Sequence, residues 1–527
     1  VATTLVSGAP ERVRRIATTP SPAITVYRER YRRRRCQRSA FWGFCVAGVT
    51  HTMAMPRYET TSQEFSVKPK NFSVNERTYV LHDKPVVVIC IDGSEPDYHV
   101  EAMAAGKMPW LSGILDGESS STWAAHCAMP ALTNPNNLSI ATGRPPVAHG
   151  ICGNYIFDTQ TGEEVLMNDK KYLRAPTVFA AANEAGLDVV VVTAKDKLRR
   201  LLGAGLVEEG PSLSGDATQF VAPSRNGICF SAEKADTATV SSNGITDVLD
   251  LVGMPLPSVY SAELSEFTLA AGVAILKTRG ADLMYLSLTD YIQHKNAPGS
   301  DVANDFYAMI DDYAAKLDAL GAVVVITADH GMSAKTDASG TANVIYVEDE
   351  VRQILGHPTG AAPDAENGVR VILPITDPYT VHHGALGSFA SIYLPNDAPV
   401  KDVVEGLRTI DGVEQVLERE EAATLYSLPA DRIGDVILLS AAGTAVGRYE
   451  AWHDLSGLDA PLRSHGALGE LQIPFIVNRA LPRPTPLDEP FGDTAYVHNY
   501  DAFWIATTLV ANVAKHGRDR ASAARVS

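Results

Sequence analysis

Six residues of metal-ligand type stand in short, separated contexts along the chain. Asp92 closes the apolar run Val-Val-Val-Ile-Cys-Ile-Asp-Gly, and Asp290 and His294 lie four apart in Leu-Thr-Asp-Tyr-Ile-Gln-His. Asp329 and His330 close Val-Val-Val-Ile-Thr-Ala-Asp-His-Gly, and His465 sits in Arg-Ser-His-Gly. This is enough carboxylate and imidazole for two divalent cations. Each motif alone is weak: Asp four before His is also the spacing of a solvated helix pair, and a strand-end Asp often caps a turn. Together, after apolar strands, they favour a metal centre, because clustered carboxylates without a cation would repel one another. Between the first two clusters, Pro-Ala-Leu-Thr133-Asn-Pro-Asn-Asn places a hydroxyl at a helix start. A helix N-terminus and a nearby cation would both favour its alkoxide, so Thr133 is the candidate nucleophile, with a simple N-cap as the structural alternative.

The elements that must position these groups follow from periodicity. Short Val/Ile-rich runs at Val86–Ile91, Val189–Val192, Leu283–Ser287 and Val323–Thr327 alternate with helical patterns at Ala175–Ala185, Glu263–Thr278 and Val302–Leu320. Apolar strands separated by helices predict a mostly parallel sheet covered on both faces, an α/β fold of three layers, α/β/α. Ligands collect beyond the carboxyl ends of such strands, where Asp92, Asp290 and Asp329 fall. After His330 the pattern changes to strands at Val369–Leu373, Phe389–Tyr393, Val413–Leu417 and Asp435–Leu439, with helices at Val400–Thr409 and Glu420–Ser427. Core-like sequence resumes at His465 and Ile473–Val477. The expected organisation is an arm at 55–84, a metal-binding core at 85–342, an inserted smaller α+β cap at 343–450, the rest of the core at 451–512 and a tail at 513–527.

Composition bounds the function. A formal charge of −17 over 527 residues argues against nucleic acid as a partner, since phosphate backbones need a basic footprint. It leaves room for a small anion at a locally positive site. No apolar run reaches the roughly 18–20 residues of a membrane span. Six cysteines without a CxxC spacing indicate neither a disulfide framework nor a zinc ribbon, and a cytoplasmic location is expected. Residues 1–54 differ from the rest, rich in Arg and without Lys, with an apolar stretch at 40–49. They are expected to be an extension outside the fold, with an export signal or transit peptide as the alternative.

In family order, Asp92-Gly93, the Thr133 segment, Asp290-x-x-x-His294, Asp329-His330-Gly331-Met332 and His465-Gly466 resemble the alkaline phosphatase superfamily. Within it they resemble the phosphodiesterase-like branch that includes hydrolases of phosphonoacetate, over about Pro85 to Arg479. The resemblance implies two Zn2+ ions, with Fe or Mn substitution left open. One would be held by Asp290, His294 and His465, the other by Asp92, Asp329, His330 and the Thr133 oxygen. It implies that Asn154 donates to a phosphoryl oxygen, and that Lys195 and Lys197, in Thr-Ala-Lys-Asp-Lys, hold a substrate carboxylate. The lysines are read as ending a strand, with both ammonium groups on one side. His383-Gly-Ala-Leu-Gly nearly copies His465-Gly-Ala-Leu-Gly; His465 is preferred because its position after the cap follows the superfamily order.

The expected activity is hydrolysis of the C–P bond of phosphonoacetate to acetate and phosphate, with a small phosphonate as partner, no membrane, and a homodimer left open. The alternatives are a nucleotide phosphodiesterase or pyrophosphatase of the same superfamily, a phosphate mutase, which normally uses Ser, and a non-catalytic metal-binding relative.

Overall fold

The computed structural model describes residues 70–117, 119–207, 227–359, 368–375, 386–458, 460–481 and 497–513. The Arg-rich stretch before Lys70, and His383, lie outside them.

The strand Val86–Cys90 carries valines, isoleucine and cysteine on both faces. Val86, Val88 and Cys90 join one apolar cluster, and Val87 and Ile89 the other. A strand buried on both sides belongs in the middle of a covered sheet. It does so here: the seven-stranded sheet runs Ser121–Thr122, Ile476–Val477, Val323–Thr327, Val86–Cys90, Leu283–Ser287, Val189–Thr193, Gly227–Ser231. The last five are mutually parallel, whereas Ile476–Val477 runs antiparallel to its neighbours. Helices Glu263–Thr278 and Asp301–Ala319 pack Phe267, Leu269, Phe306 and Ile310 on one face. Helices Thr133–Thr142 and Val178–Glu184 pack Leu138, Ile140, Val178 and Phe179 on the other. The α/β/α layering predicted from periodicity is the observed one.

Register then places the chemistry. Cys90 pairs with both Ser287 and Thr327, and Thr193 pairs with Ser287, so four neighbouring strands end level. Asp92, Asp329 and Lys195 each follow their last strand residue by two positions and Asp290 by three, which brings them to one edge.

Most predicted elements agree within a residue or two, and two differences have clear causes. The helix predicted over Ala175–Ala185 begins at Val178, because Pro176 precedes Thr177, whose side chain accepts the Ala180 N–H as an N-cap. The run Ile473–Val477 divides at Pro474, which has no N–H for a ladder. Gln472–Ile473 pairs with Ala125–His126, while Ile476–Val477 joins the main sheet. The edge strand Gly227–Ser231 was not among the predicted strands.

The inserted α+β unit is built on an antiparallel sheet in the order Arg370–Ile372, Phe389–Tyr393, Val436–Ser440, Val413–Glu418. Its helices Val347–Ile354 and Val400–Leu407 supply Val347, Val351, Val403 and Leu407 to an apolar cluster on one face of that sheet that also takes in Leu132, while Phe389, Ile437 and Leu439 join a cluster of the main sheet. No helix among the described residues is long and apolar enough to cross a membrane.

Candidate active site

Two groups of ligand-type side chains, all buried, form at the level strand ends. Asp290, His294 and His465 make one, Asp92, Asp329 and His330 the other, and within each group the ligand atoms lie within 4.8 Å of one another. Asp290 starts the short helix Tyr291–Lys295, so the i, i+4 spacing brings its Oδ2 to 2.9 Å from His294 Nε2. The His330 and His465 rings stack with centroids 3.6 Å apart, so the two groups are neighbours. Gly93, at φ +69°, turns the chain after Asp92 so that its N–H donates to Asp329 Oδ1 at 3.2 Å.

Hydrogen bonds to the three imidazoles set their tautomers. Nδ1 of His294, His465 and His330 faces the backbone oxygen of Arg463 (2.9 Å), Ala131 (2.7 Å) and Gly331 (2.9 Å) respectively. A carbonyl only accepts, so each Nδ1 carries the proton and each Nε2 presents a lone pair. That lone pair faces Asp290 Oδ2 in one group and Asp92 Oδ1, at 3.3 Å, in the other. Asp92 Oδ1 has no donor of its own although it is buried. Burial, then the neighbouring Asp290 and Asp329 charges, push the Asp92 carboxyl well above the usual carboxylate range. Burial and the other two imidazoles hold His465 well below the usual histidine value, hence neutral. Lone pairs facing carboxylates, with too few protons to separate them, are the donor set that divalent cations fit.

Thr133 is the first residue of the helix Thr133–Thr142, and its Oγ1 lies 3.3 Å from His330 Nε2. The N-cap is Leu132, without a side-chain cap, so the alternative reading of Thr133 as an N-cap does not hold. Asn154 accepts the Asn134 N–H on Oδ1 at 2.9 Å, which leaves its Nδ2 as the donor. Asn154, Thr133, Asp92, Asp290, His294, His465, Lys195 and Lys197 line one cavity of about 130 Å3.

The lysines reach that cavity by a different route from the one predicted. The strand ends at Thr193; Lys195 is the N-cap of helix Asp196–Leu202 and Lys197 lies in its first turn, so strand alternation does not place them. Lys195 Nζ lies 3.5 Å from Asp290 Oδ1. Burial works against its ammonium, but the Asp290 and Asp92 carboxylates outweigh this and leave its pKa raised, so it is charged.

Several contributors were missed in the sequence. Asn137 donates to Asp329 Oδ2 (3.0 Å) and to the Thr133 carbonyl (3.0 Å), and accepts from Tyr285 and Ser287, linking the candidate nucleophile to a candidate ligand. Its signal was available: it lies four after Thr133 in a helix whose Asn136 and Asn137 are both fully buried. Asn168 and Ile375 also line the cavity, with no motif to mark them.

The family model described as type I phosphodiesterase / nucleotide pyrophosphatase matches residues 86–468. Two crystal structures of phosphonoacetate hydrolase from Sinorhizobium meliloti 1021, in complex with phosphonoformate and with phosphonoacetate, are each 49% identical to this chain. Each match covers 83% of this chain and 98% of theirs, with TM-scores of 0.75 and 0.74. Murine ectonucleotide pyrophosphatase / phosphodiesterase 5 shares the fold at 16% identity and a TM-score of 0.52, over 81% of this chain and 95% of its own. With its strand-end ligands, its Thr133 helix and these likenesses, the chain belongs to the type I phosphodiesterase / nucleotide pyrophosphatase family of the alkaline phosphatase superfamily.

Proposed function

We propose that this protein is a phosphonoacetate hydrolase, cleaving the C–P bond to give acetate and phosphate. The observation that carries the reading is one cavity lined by Lys195, Lys197 and Thr133 together with Asp290, His294 and His465 of one ligand group and Asp92 of the other. The likeness to the Sinorhizobium meliloti enzyme supports the same substrate.

Asp290, His294 and His465 would hold one divalent cation, and Asp92, Asp329, His330 and the Thr133 oxygen the other; the Asp/His set suits Zn2+. When bound, the cations would neutralise phosphonate charge and lower the pKa of the Thr133 hydroxyl. Thr133 Oγ1 attacks phosphorus, from a helix start whose potential favours its anion. Asn154 Nδ2 donates to a phosphoryl oxygen as charge builds there. The C–P electron pair moves into the adjacent carboxylate as an enolate, which the Lys195 and Lys197 ammonium groups stabilise until carbon is protonated. Water then hydrolyses the phosphothreonine and restores the hydroxyl. The cavity's apolar wall includes Leu166, Leu198, Leu288 and Ile375, with no Phe, Tyr or Trp among the described lining residues. The described lining thus offers a nucleotide base no large aromatic side chain to stack on, which favours the small phosphonate over a nucleotide diester. The buried free thiols Cys90, Cys127, Cys152 and Cys229 suit a reducing, cytoplasmic setting.

The test is phosphate release from phosphonoacetate against nitrophenol release from bis(nitrophenyl) phosphate, each with and without chelator. Faster turnover of phosphonoacetate, abolished by chelation, is expected. Preference for the diester, or indifference to chelator, would overturn the assignment.

A further inference from the structure

Arg463 stands two residues before His465 and is buried, and its guanidinium hydrogen-bonds to groups other than the ligand side chains. Its Nε donates to the Gln293 carbonyl at 2.9 Å, the residue before His294. Its Nη2 reaches the Met332 carbonyl at 3.2 Å, two residues after His330. The same nitrogen reaches the Tyr98 hydroxyl at 3.2 Å and Glu95 Oε1 at 3.3 Å, on the segment that follows Asp92. Its own carbonyl accepts the His294 Nδ1–H. Arg463 and Ser464 also pair antiparallel with Ser333 and Ala334, just after Asp329 and His330.

One guanidinium thus meets the segments that carry Asp92, the Asp290–His294 pair and the Asp329–His330 pair, from the segment that carries His465. We propose that Arg463 is a positioning residue that holds these four segments in register for the two-cation centre, an inference that rests on the ligand reading above. The chemistry explains why the residue is Arg. Its planar fork carries five donors in fixed directions and can serve a carbonyl at Nε and others at Nη2 together, whereas a Lys ammonium offers three donors from one point. Glu95 Oε1, 3.3 Å from the guanidinium, is the acidic partner of this buried group. Groups that orient ligands from behind typically contribute 10–100-fold in metal affinity.

The test uses the full chain with Zn2+ as the titrant and Co2+ as the spectroscopic probe. Wild type, Arg463→Met, Arg463→Lys and Glu95→Gln are each measured for Zn2+ affinity by chelator competition, for the visible Co2+ spectrum and for the melting temperature of the metal-free protein. Arg463→Met is expected to bind the weaker Zn2+ about 10–100-fold less tightly with an altered Co2+ spectrum. Arg463→Lys keeps the charge and should recover most of the metal-free melting temperature but not the affinity, which separates positioning from general support of the fold. Glu95→Gln should lose less affinity than either. If Arg463→Lys retains wild-type affinity for both ions and an unchanged Co2+ spectrum, the inference is overturned, whether or not Arg463→Met folds. If the wild-type chain binds no Zn2+ stoichiometrically, the two-cation reading falls and this inference with it.

Discussion

Replacing Lys335 by Met should destabilise the protein more than almost any other single change of a charged residue. Lys335 Nζ and Glu470 Oε1 are 2.9 Å apart, with side chains 1% and 0% exposed. At an effective dielectric constant near 20 that separation corresponds to an attraction of about 6 kcal/mol. The variant would leave the Glu470 carboxylate buried, with only the Ser333 hydroxyl and the Ala467 N–H still donating to it. Those two donors offset part of the loss, and breaking buried pairs typically costs about 3–5 kcal/mol. With an unfolding entropy of about 2 cal/mol/K per residue, a chain of this length should lose roughly 3–5 °C in melting temperature. The double variant Lys335→Met/Glu470→Gln removes the stranded charge, keeps one carbonyl oxygen for the Ala467 N–H and turns an amide N–H towards the Ser333 hydroxyl, which can rotate to accept it, and should recover at least about 2 kcal/mol of that loss. Thermal melts of the metal-free proteins read both effects. A loss under about 1 kcal/mol in the single variant, or a double variant no more stable than the single, would refute the reasoning.

Three further outcomes are expected. Asp290→Ala or His294→Ala should lose one of two bound metal ions and nearly all turnover, and His465→Ala should do the same while His383→Ala does not, read by metal analysis of the purified proteins. Lys195→Ala and Lys197→Ala should cut phosphonoacetate turnover by roughly 10²–10⁴-fold and leave a carboxylate-free diester little affected; equal losses on both substrates would mean that the lysines serve the site's field rather than the substrate. Burial lowers His149 to about 3 and His99 to about 4, so both stay neutral in the folded protein while the unfolded chain protonates them near pH 6.5. Stability is therefore full above about pH 6.5 and falls by about 1.4 kcal/mol per pH unit for each histidine below it. Denaturant melts between pH 7.5 and 5 should show a shallower acid loss in His149→Gln than in wild type, and parallel curves would exclude the effect.

The central sheet was legible because Val86–Cys90 and residues 323–326 are apolar at every position, the pattern of a strand covered on both faces. The candidate ligands were legible because a strand-end carboxylate or an Asp four before a His has a local spacing to read, and the structure brings those residues into two groups. Other features had no local signal. Gly227–Ser231 takes its place from pairing with Val189–Thr193, which nothing in its own five residues announces. The two lysines were assigned to the cavity by resemblance and misplaced by periodicity, because the turn at Ala194 and the helix from Asp196 interrupt the strand that alternation assumed. Arg463 acts through contacts to residues more than a hundred positions away, and spacing along a chain carries no trace of those.

The hydrogen bond from His294 to Arg463 spans 169 residues, and the one from His465 to Ala131 spans 334. The inserted α+β unit lies inside both intervals, so during synthesis the group with Asp92, Asp329 and His330 has all its protein ligands well before His465 emerges. The two halves of the centre are thus completed at different times. The Asp290 group therefore waits on His465, and a chain ending within the insertion would contain Asp92, Asp329 and His330 but only two of the three residues of the other group.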